Sequence, residues 1–184
     1  MTNVKSIFPM LSLFAMVLTS AVTQADVVSP GEGWTALEHA SVARTDKNPD
    51  VQYQVVTATV YGKRLPNGSA QPPLLVLRER TAARCADESC LYRYSAFQLA
   101  KPETVNGSQH YAGKPVELDV AFTRQQMPAD YVVTAAKLVE DTMKCGKRIW
   151  TVQTKLEEGI TVAFTGEVMA ARPNPKFQSP ARRP

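Results

Sequence analysis

The apolar positions of this chain fall into two periods, and the shorter one dominates. Val51–Tyr61 (VQYQVVTATVY) is dense in β-branched and aromatic residues and predicts a strand. Its alternation slips between Val55 and Val56, which predicts a bulge or burial on both faces. Leu74–Arg80 and Leu91–Leu99 read as the arms of a hairpin around Cys85–Cys90. In Val116–Thr123, Val116, Leu118, Val120 and Phe122 alternate with Glu117, Asp119 and Thr123, as a half-buried antiparallel strand does. Arg148–Leu156 and Ile160–Val168 alternate likewise, and Glu157-Glu158-Gly159 between them fits a three-residue hairpin loop.

The longer period appears once. Over Pro128–Cys145, Tyr131, Val132, Ala135, Leu138, Val139 and Thr142 recur at i, i+1, i+4, i+7, i+8 and i+11, an amphipathic helical stripe. Pro128 and Asp130 suit the helix start, and Lys144, Gly146 and Lys147 its end. Trp34–Arg44 fits a short helix or an irregular strand equally well. Thr45–Asp50, Leu65–Pro73 and Lys101–Pro115 carry the Pro, Gly, Asn and Asp of turns and loops. The expected fold is therefore α+β: a single domain, mainly an antiparallel sheet, with one amphipathic helix at 128–145 packed on it.

The ends of the chain differ in kind from its middle. Residues 1–25 carry Lys5, an apolar run from Ile7 to Leu18, and small Thr23 and Ala25 before a cleavage point, the layout of an export signal. The apolar run is about a dozen residues, short of the roughly 20 that span a bilayer. The expected organisation is a cleaved signal peptide (1–25), a globular domain (26–169) and a basic, Pro-rich disordered tail (170–184), with a periplasmic or secreted destination. The formal net charge of +4 resides at the termini. Lys5 and the tail residues Arg172, Lys176, Arg182 and Arg183 leave 16 basic against 17 acidic residues in 26–168, which gives no support to nucleic-acid binding.

Export puts the three cysteines in an oxidising compartment. Cys85 and Cys90 are separated by the length of a four-residue hairpin loop, so they are expected to face one another at a distance a disulfide accepts. Such a bridge stiffens a tip bearing Asp87 and Glu88, the candidate binding loop, and a stiff acidic tip enters a partner's cleft at low ordering cost. The Cys-x4-Cys loop resembles in architecture the inhibitory loop of the Ivy-type periplasmic lysozyme inhibitors, over six residues and without the histidine that family places there. Cys145 is left as a free thiol, a partner for Cys85 or Cys90, or the bridge of a disulfide-linked homodimer.

Catalytic chemistry has little to build on. The two histidines, His39 and His110, sit in no nucleophile-elbow or other local signature, although Ser41 or Ser108 stands near each in sequence. No ligand spacing for zinc and no phosphate-binding Gly-rich loop occurs, so no metal or cofactor is expected. Asp87/Glu88, Glu140/Asp141 and Glu157/Glu158 are sequence neighbours, as in turns and solvated faces. Asn67-Gly68-Ser69 and Asn106-Gly107-Ser108 match a glycosylation sequon and read equally as Asn-Gly turns.

The expected function is a non-enzymatic exported protein that binds another envelope or secreted protein, as inhibitor, immunity protein or assembly component. A small secreted hydrolase using His39 or His110, and a carrier of lipid or a small ligand, are the alternatives. In the exported protein, peptide mapping without reduction should recover residues 85 and 90 in one linked product. Free thiols at both positions would remove the rationale for a stiff acidic loop.

Overall fold

The computed structural model describes residues 30–47, 51–81, 92–118, 131–142 and 146–171. Among the described residues ten strands form one sheet: β1 (Trp34–Ser41), β2 (Ala43–Arg44), β3 (Tyr53–Lys63), β4 (Leu74–Thr81), β5 (Arg93–Leu99), β6 (Glu103–Val105), β7 (Ser108–Val116), β8 (Val133–Thr142), β9 (Arg148–Leu156) and β10 (Thr161–Ala170). Eight of them follow one another in the order β1-β3-β4-β5-β7-β8-β9-β10, every pair antiparallel. Pairing of β1 with β10, Glu38 opposite Ala170 through Ala40 opposite Val168, closes the circle. The fold is a closed eight-stranded β-barrel. β2 continues β1 past Val42 and pairs with β10, and β6 forms a lip on β7.

Alternation decides what fills the barrel. Leu75, Leu77, Phe97, Leu99, Leu138, Trp150, Val152, Leu156, Val162 and Phe164 point inward and are buried. Lys137, Gln153 and Lys155 stand exposed on the outer face of two of the same strands. Polar outside and apolar inside is the reverse of a lipid-facing barrel. With eight strands the interior is just wide enough for side chains to occupy it, and here they do. A second, outer cluster of Tyr61, Leu74, Val76 and Ala96 is covered by Trp34, Ala36, Tyr94 and Leu118.

Closure depends on close backbone approach where β1 bends into β2. A β-carbon on Gly166, the direct partner of Trp150, would stand 2.2 Å from the Ser41 carbonyl oxygen, so only glycine fits.

Several expected elements hold. The strands near 51–61, 74–80, 91–99, 148–156 and 160–168 are β3, β4, β5, β9 and β10, and β4 pairs with β5 as expected of hairpin arms. The slip at Val55/Val56 is a register shift between Val55 and Thr57 against β4. Gly159, at φ 86°, closes the β9–β10 loop through its N–H to Leu156 O at 2.9 Å.

The helix does not. Its described part, residues 131–142, contains β8, hydrogen-bonded between β7 and β9, so the fold is all-β among the described residues and not α+β. The residues of the expected stripe come from both faces of this strand. Leu138 faces the core, whereas Ala135 and Val139, each one position off the core-facing Ala136 and Leu138, face outward, and the two faces together imitate a helical stripe. The helix would have buried Val132, which is 49% exposed. The β-branched Val132, Val133, Thr134, Val139 and Thr142 favour the strand.

Of the strand expected at 116–123, Val116 ends β7 and residues 119–123 lie outside the described residues; the loop expected at 101–115 holds β6 and most of β7. β7 has mostly half-buried or exposed positions, so it lacks the alternation that betrays a strand. Asn106 (φ 50°) and Gly107 (φ 84°) form the β6–β7 turn, both left-handed, as a two-residue hairpin requires. Pro115 is tolerated because it stands past the last rung of the β7–β8 ladder, at Gly113. Residues 1–25, expected to be a signal peptide, and residues 172–184 of the expected tail lie outside the described residues.

Gly166→Ala should destabilise the barrel by about 1–3 kcal/mol, the cost of forcing volume into a packed site. Urea unfolding of the purified protein measures it, and an unchanged midpoint would contradict the closure described.

Candidate functional site

The barrel has two unlike ends. At one, named here for Trp34, β1 begins, β3 ends at Lys63, β4 begins at Leu74, and β8 and β9 meet at Thr142 and Arg148. At the other, the Tyr53 end, lie Tyr53 opposite Thr81, Glu79 opposite Arg93, and Val133 opposite Leu156.

Among the described residues the wall parts at the Tyr53 end. The β5–β7 ladder runs from Ala96 to Leu99 and the β7–β8 ladder from Gln109 to Gly113, so both stop short of it. A cleft of about 390 Å³ lies in this seam between β5 and β8. Phe97, Pro115, Val116, Leu118 and Val133 give it apolar walls, and Arg93, Ser95 and Glu117 its polar groups.

Behind the cleft is a buried polar cluster. β4 sends Leu75, Leu77 and then Glu79 to the interior, leaving the Glu79 side chain 3% exposed. Tyr53 donates its hydroxyl to Glu79 Oε1 at 2.9 Å. Arg93 Nε lies 3.7 Å from Glu79 Oε2, and Arg93 Nη1 donates to the Tyr131 carbonyl oxygen across the seam. Tyr131 packs its ring edgewise on Tyr53, 6.2 Å between centroids, and its hydroxyl accepts from Gln52 N at 3.2 Å. Thr154, fully buried on β9, donates to Val162 O.

Burial pushes the Glu79 carboxyl above the usual carboxylate range, while Arg93 and the hydroxyls of Ser95 and Tyr53 pull the other way. Tyr53 is raised well above an ordinary phenol, by burial first and then by Glu79. The cluster thus shares few protons among groups that do not ionise independently.

At the Trp34 end a looser ion cluster closes the interior. Arg148 donates to Glu38 and to Glu140, whose cross-strand partners Val60 and Trp150 are core residues. All three side chains are partly exposed, so solvent screens the pairs.

The structure separates the residues a hydrolase would need. His39 on β1 and His110 on β7 lie four strands apart around the barrel, on opposite walls. Both face outward: His39 is level with Met169 and Thr59, and His110 with Val139. Ser108 gives its hydroxyl proton to Asp141 rather than to a histidine. Among the described residues no group of three His, Cys, Asp or Glu side chains could hold a metal. Asn67 Oδ1 accepts from Ser69 N at 3.0 Å, in keeping with a turn.

The expected disulfide Cys85–Cys90, the loop residues Asp87 and Glu88, and Cys145 lie outside the described residues. Their flanking strand ends are placed. Thr81 and Arg93 stand at the Tyr53 end, and Thr142 and Arg148 at the Trp34 end.

Sequence reasoning missed Glu79, Tyr53 and Arg93. The signal was present, because Leu75, Leu77 and Glu79 share one parity and a carboxyl group there must face the core. No family model, curated protein or solved structure matches this chain.

The raised carboxyl of Glu79 fixes the sign of a pH dependence. The folded chain binds this proton more tightly than the unfolded chain does. The stability it contributes is complete below the ordinary glutamate value, about 4.3, and is lost as pH rises through the raised value. Across that window the unfolding free energy of the wild type should fall relative to Glu79→Gln as pH rises. Urea titrations of both proteins test it, and a difference independent of pH would contradict the burial argument.

Proposed function

We propose that this chain is an exported binding module that engages another protein through the Tyr53 end of its barrel. The observation that carries the reading is the seam: an open cleft with apolar walls, set on a barrel whose interior is already filled by its own side chains. A filled interior leaves a carrier little room. A rigid wall with connections gathered at one end is the usual way a scaffold presents a binding surface.

Charge supports the same end. The connections that leave the barrel at the Tyr53 end are residues 45–52, 82–92, 117–132 and 157–160, and together they hold nine acidic and three basic residues. Those at the Trp34 end are 64–73, 100–102, 106–107 and 143–147, with four basic residues and no acidic one. Asp87 and Glu88 belong to the first set. An acidic end favours a partner with a basic surface and steers their encounter.

Two exposed valines mark the two ends, Val132 beside the seam (49% exposed) and Val105 on the opposite lip (41%). A photo-reactive residue placed at 132 should form an adduct with the native envelope or secreted partner. The same residue at 105 should not, and replacing Asp87 and Glu88 by Ala should weaken capture, more so at low salt. An adduct from 105 alone would place the interaction elsewhere. The cleft volume also falls in the range of small-ligand sites. A small molecule retained in native mass spectra, with no protein adduct, would favour the carrier reading.

A further inference from the structure

We infer that Glu79 and Arg93 form an acid-sensitive latch on the seam, in which protonation of Glu79 frees Arg93 and with it the bond that ties Tyr131 to β5. The latch is a property of the wall itself, independent of any partner.

Arg93 is the one side chain that the described contacts tie to both sides of the seam. It starts on β5, pairs inward with Glu79 of β4, and reaches across to the carbonyl of Tyr131, two residues before β8 begins. Its position is set by the carboxylate behind it: a guanidinium this far inside, 21% exposed, stays there because it has a counter-charge. Neutralising Glu79 removes that reason. The arginine's long stem then lets the head turn out through the cleft, where Glu117 offers another carboxyl group.

Tyr131 loses its bond to β5 in that event. β8 enters the wall just beyond, and its ladder to β7 begins only at Ala136. Residues 131–135 would then be held by β9 and by the Tyr131 contacts with Tyr53 and Gln52. The opening is local and widens the cleft at the end proposed to bind.

The groups facing Glu79 are few. β3 contributes Tyr53, β5 contributes Arg93 and the Ser95 hydroxyl, and β9 contributes the Thr154 hydroxyl beside Tyr53; among the described residues Arg93 is the only charge the Glu79 carboxyl meets. Its proton equilibrium is therefore the one that sets the latch. Burial places that equilibrium above the usual carboxylate range.

The test is amide hydrogen exchange of residues 131–136 against pH, corrected for intrinsic rates, with residues 148–156 as the internal control. Carboxyl carbon NMR follows Glu79 in the same samples. Protection of 131–136 should fall about tenfold as pH drops through the Glu79 titration, the change that loss of one hydrogen bond to a charged group brings to a local opening. Glu79→Gln should exchange at the fast level at every pH. Tyr53→Phe removes a hydrogen bond that favours the carboxylate, so it should keep the step and move its midpoint upward. Protection that stays flat while Glu79 titrates would overturn the latch, as would a step that survives in Glu79→Gln or a midpoint unmoved in Tyr53→Phe.

Discussion

Everything in this molecule depends on closing the sheet. β1 must pair on one side with β3 and on the other with β10, and it does both only because it is irregular. A register shift between Ala36 and Glu38 lets Ala36 pack outside with Trp34 and Tyr61 while Glu38 and Ala40 turn inward. Beyond Ser41 the strand bends, β2 takes up the ladder to β10, and Gly166 leaves space for the Ser41 carbonyl. An open eight-stranded sheet would leave two long edges in water and the face bearing Phe97, Trp150 and Phe164 unsealed. Closure removes both problems together, and the interior becomes a side-chain core rather than a vessel.

That core is apolar in its middle and polar at each end. The two polar clusters differ in the physics that holds them. Glu38, Arg148 and Glu140 are partly wet, and their attraction is screened. Glu79 and Arg93 sit deeper, where the cost of burying charge is high and the pairing correspondingly specific. Among the described residues the deeper cluster lies behind a place where two neighbouring ladders stop. A gap in a barrel wall exposes backbone and core, and the Arg93 bond to Tyr131 spans it with a side chain where main-chain pairing ends.

Much of the fold was legible in the sequence because alternation is a direct image of inside and outside. β3, β4, β5, β9 and β10 could be read from it, and so could the bulge beyond Val55. β8 could not, because its apolar residues lie on both faces and, taken together, fall at the spacing of a helix. β7 could not, because a strand with few buried side chains on either face carries no period. The site was half legible. Glu79 has the parity of Leu75 and Leu77, but its partners Tyr53 and Arg93 come from other strands, and only the register brings them together. Likewise the charge difference between the two sets of connections emerges only when the topology sorts them by the strand ends they join.

The account stands on residues 133–142 being a strand of a closed barrel, because the seam, the latch and the sorting of charges between two ends all follow from it. Nuclear Overhauser contacts in the isotope-labelled protein test this most directly. The barrel predicts cross-strand contacts from Leu138 to both Tyr111 and Val152, and from Ala40 to Val168 across the closure. Sequential amide–amide contacts running through 133–142, with neither cross-strand set present, would restore the helix and contradict the barrel.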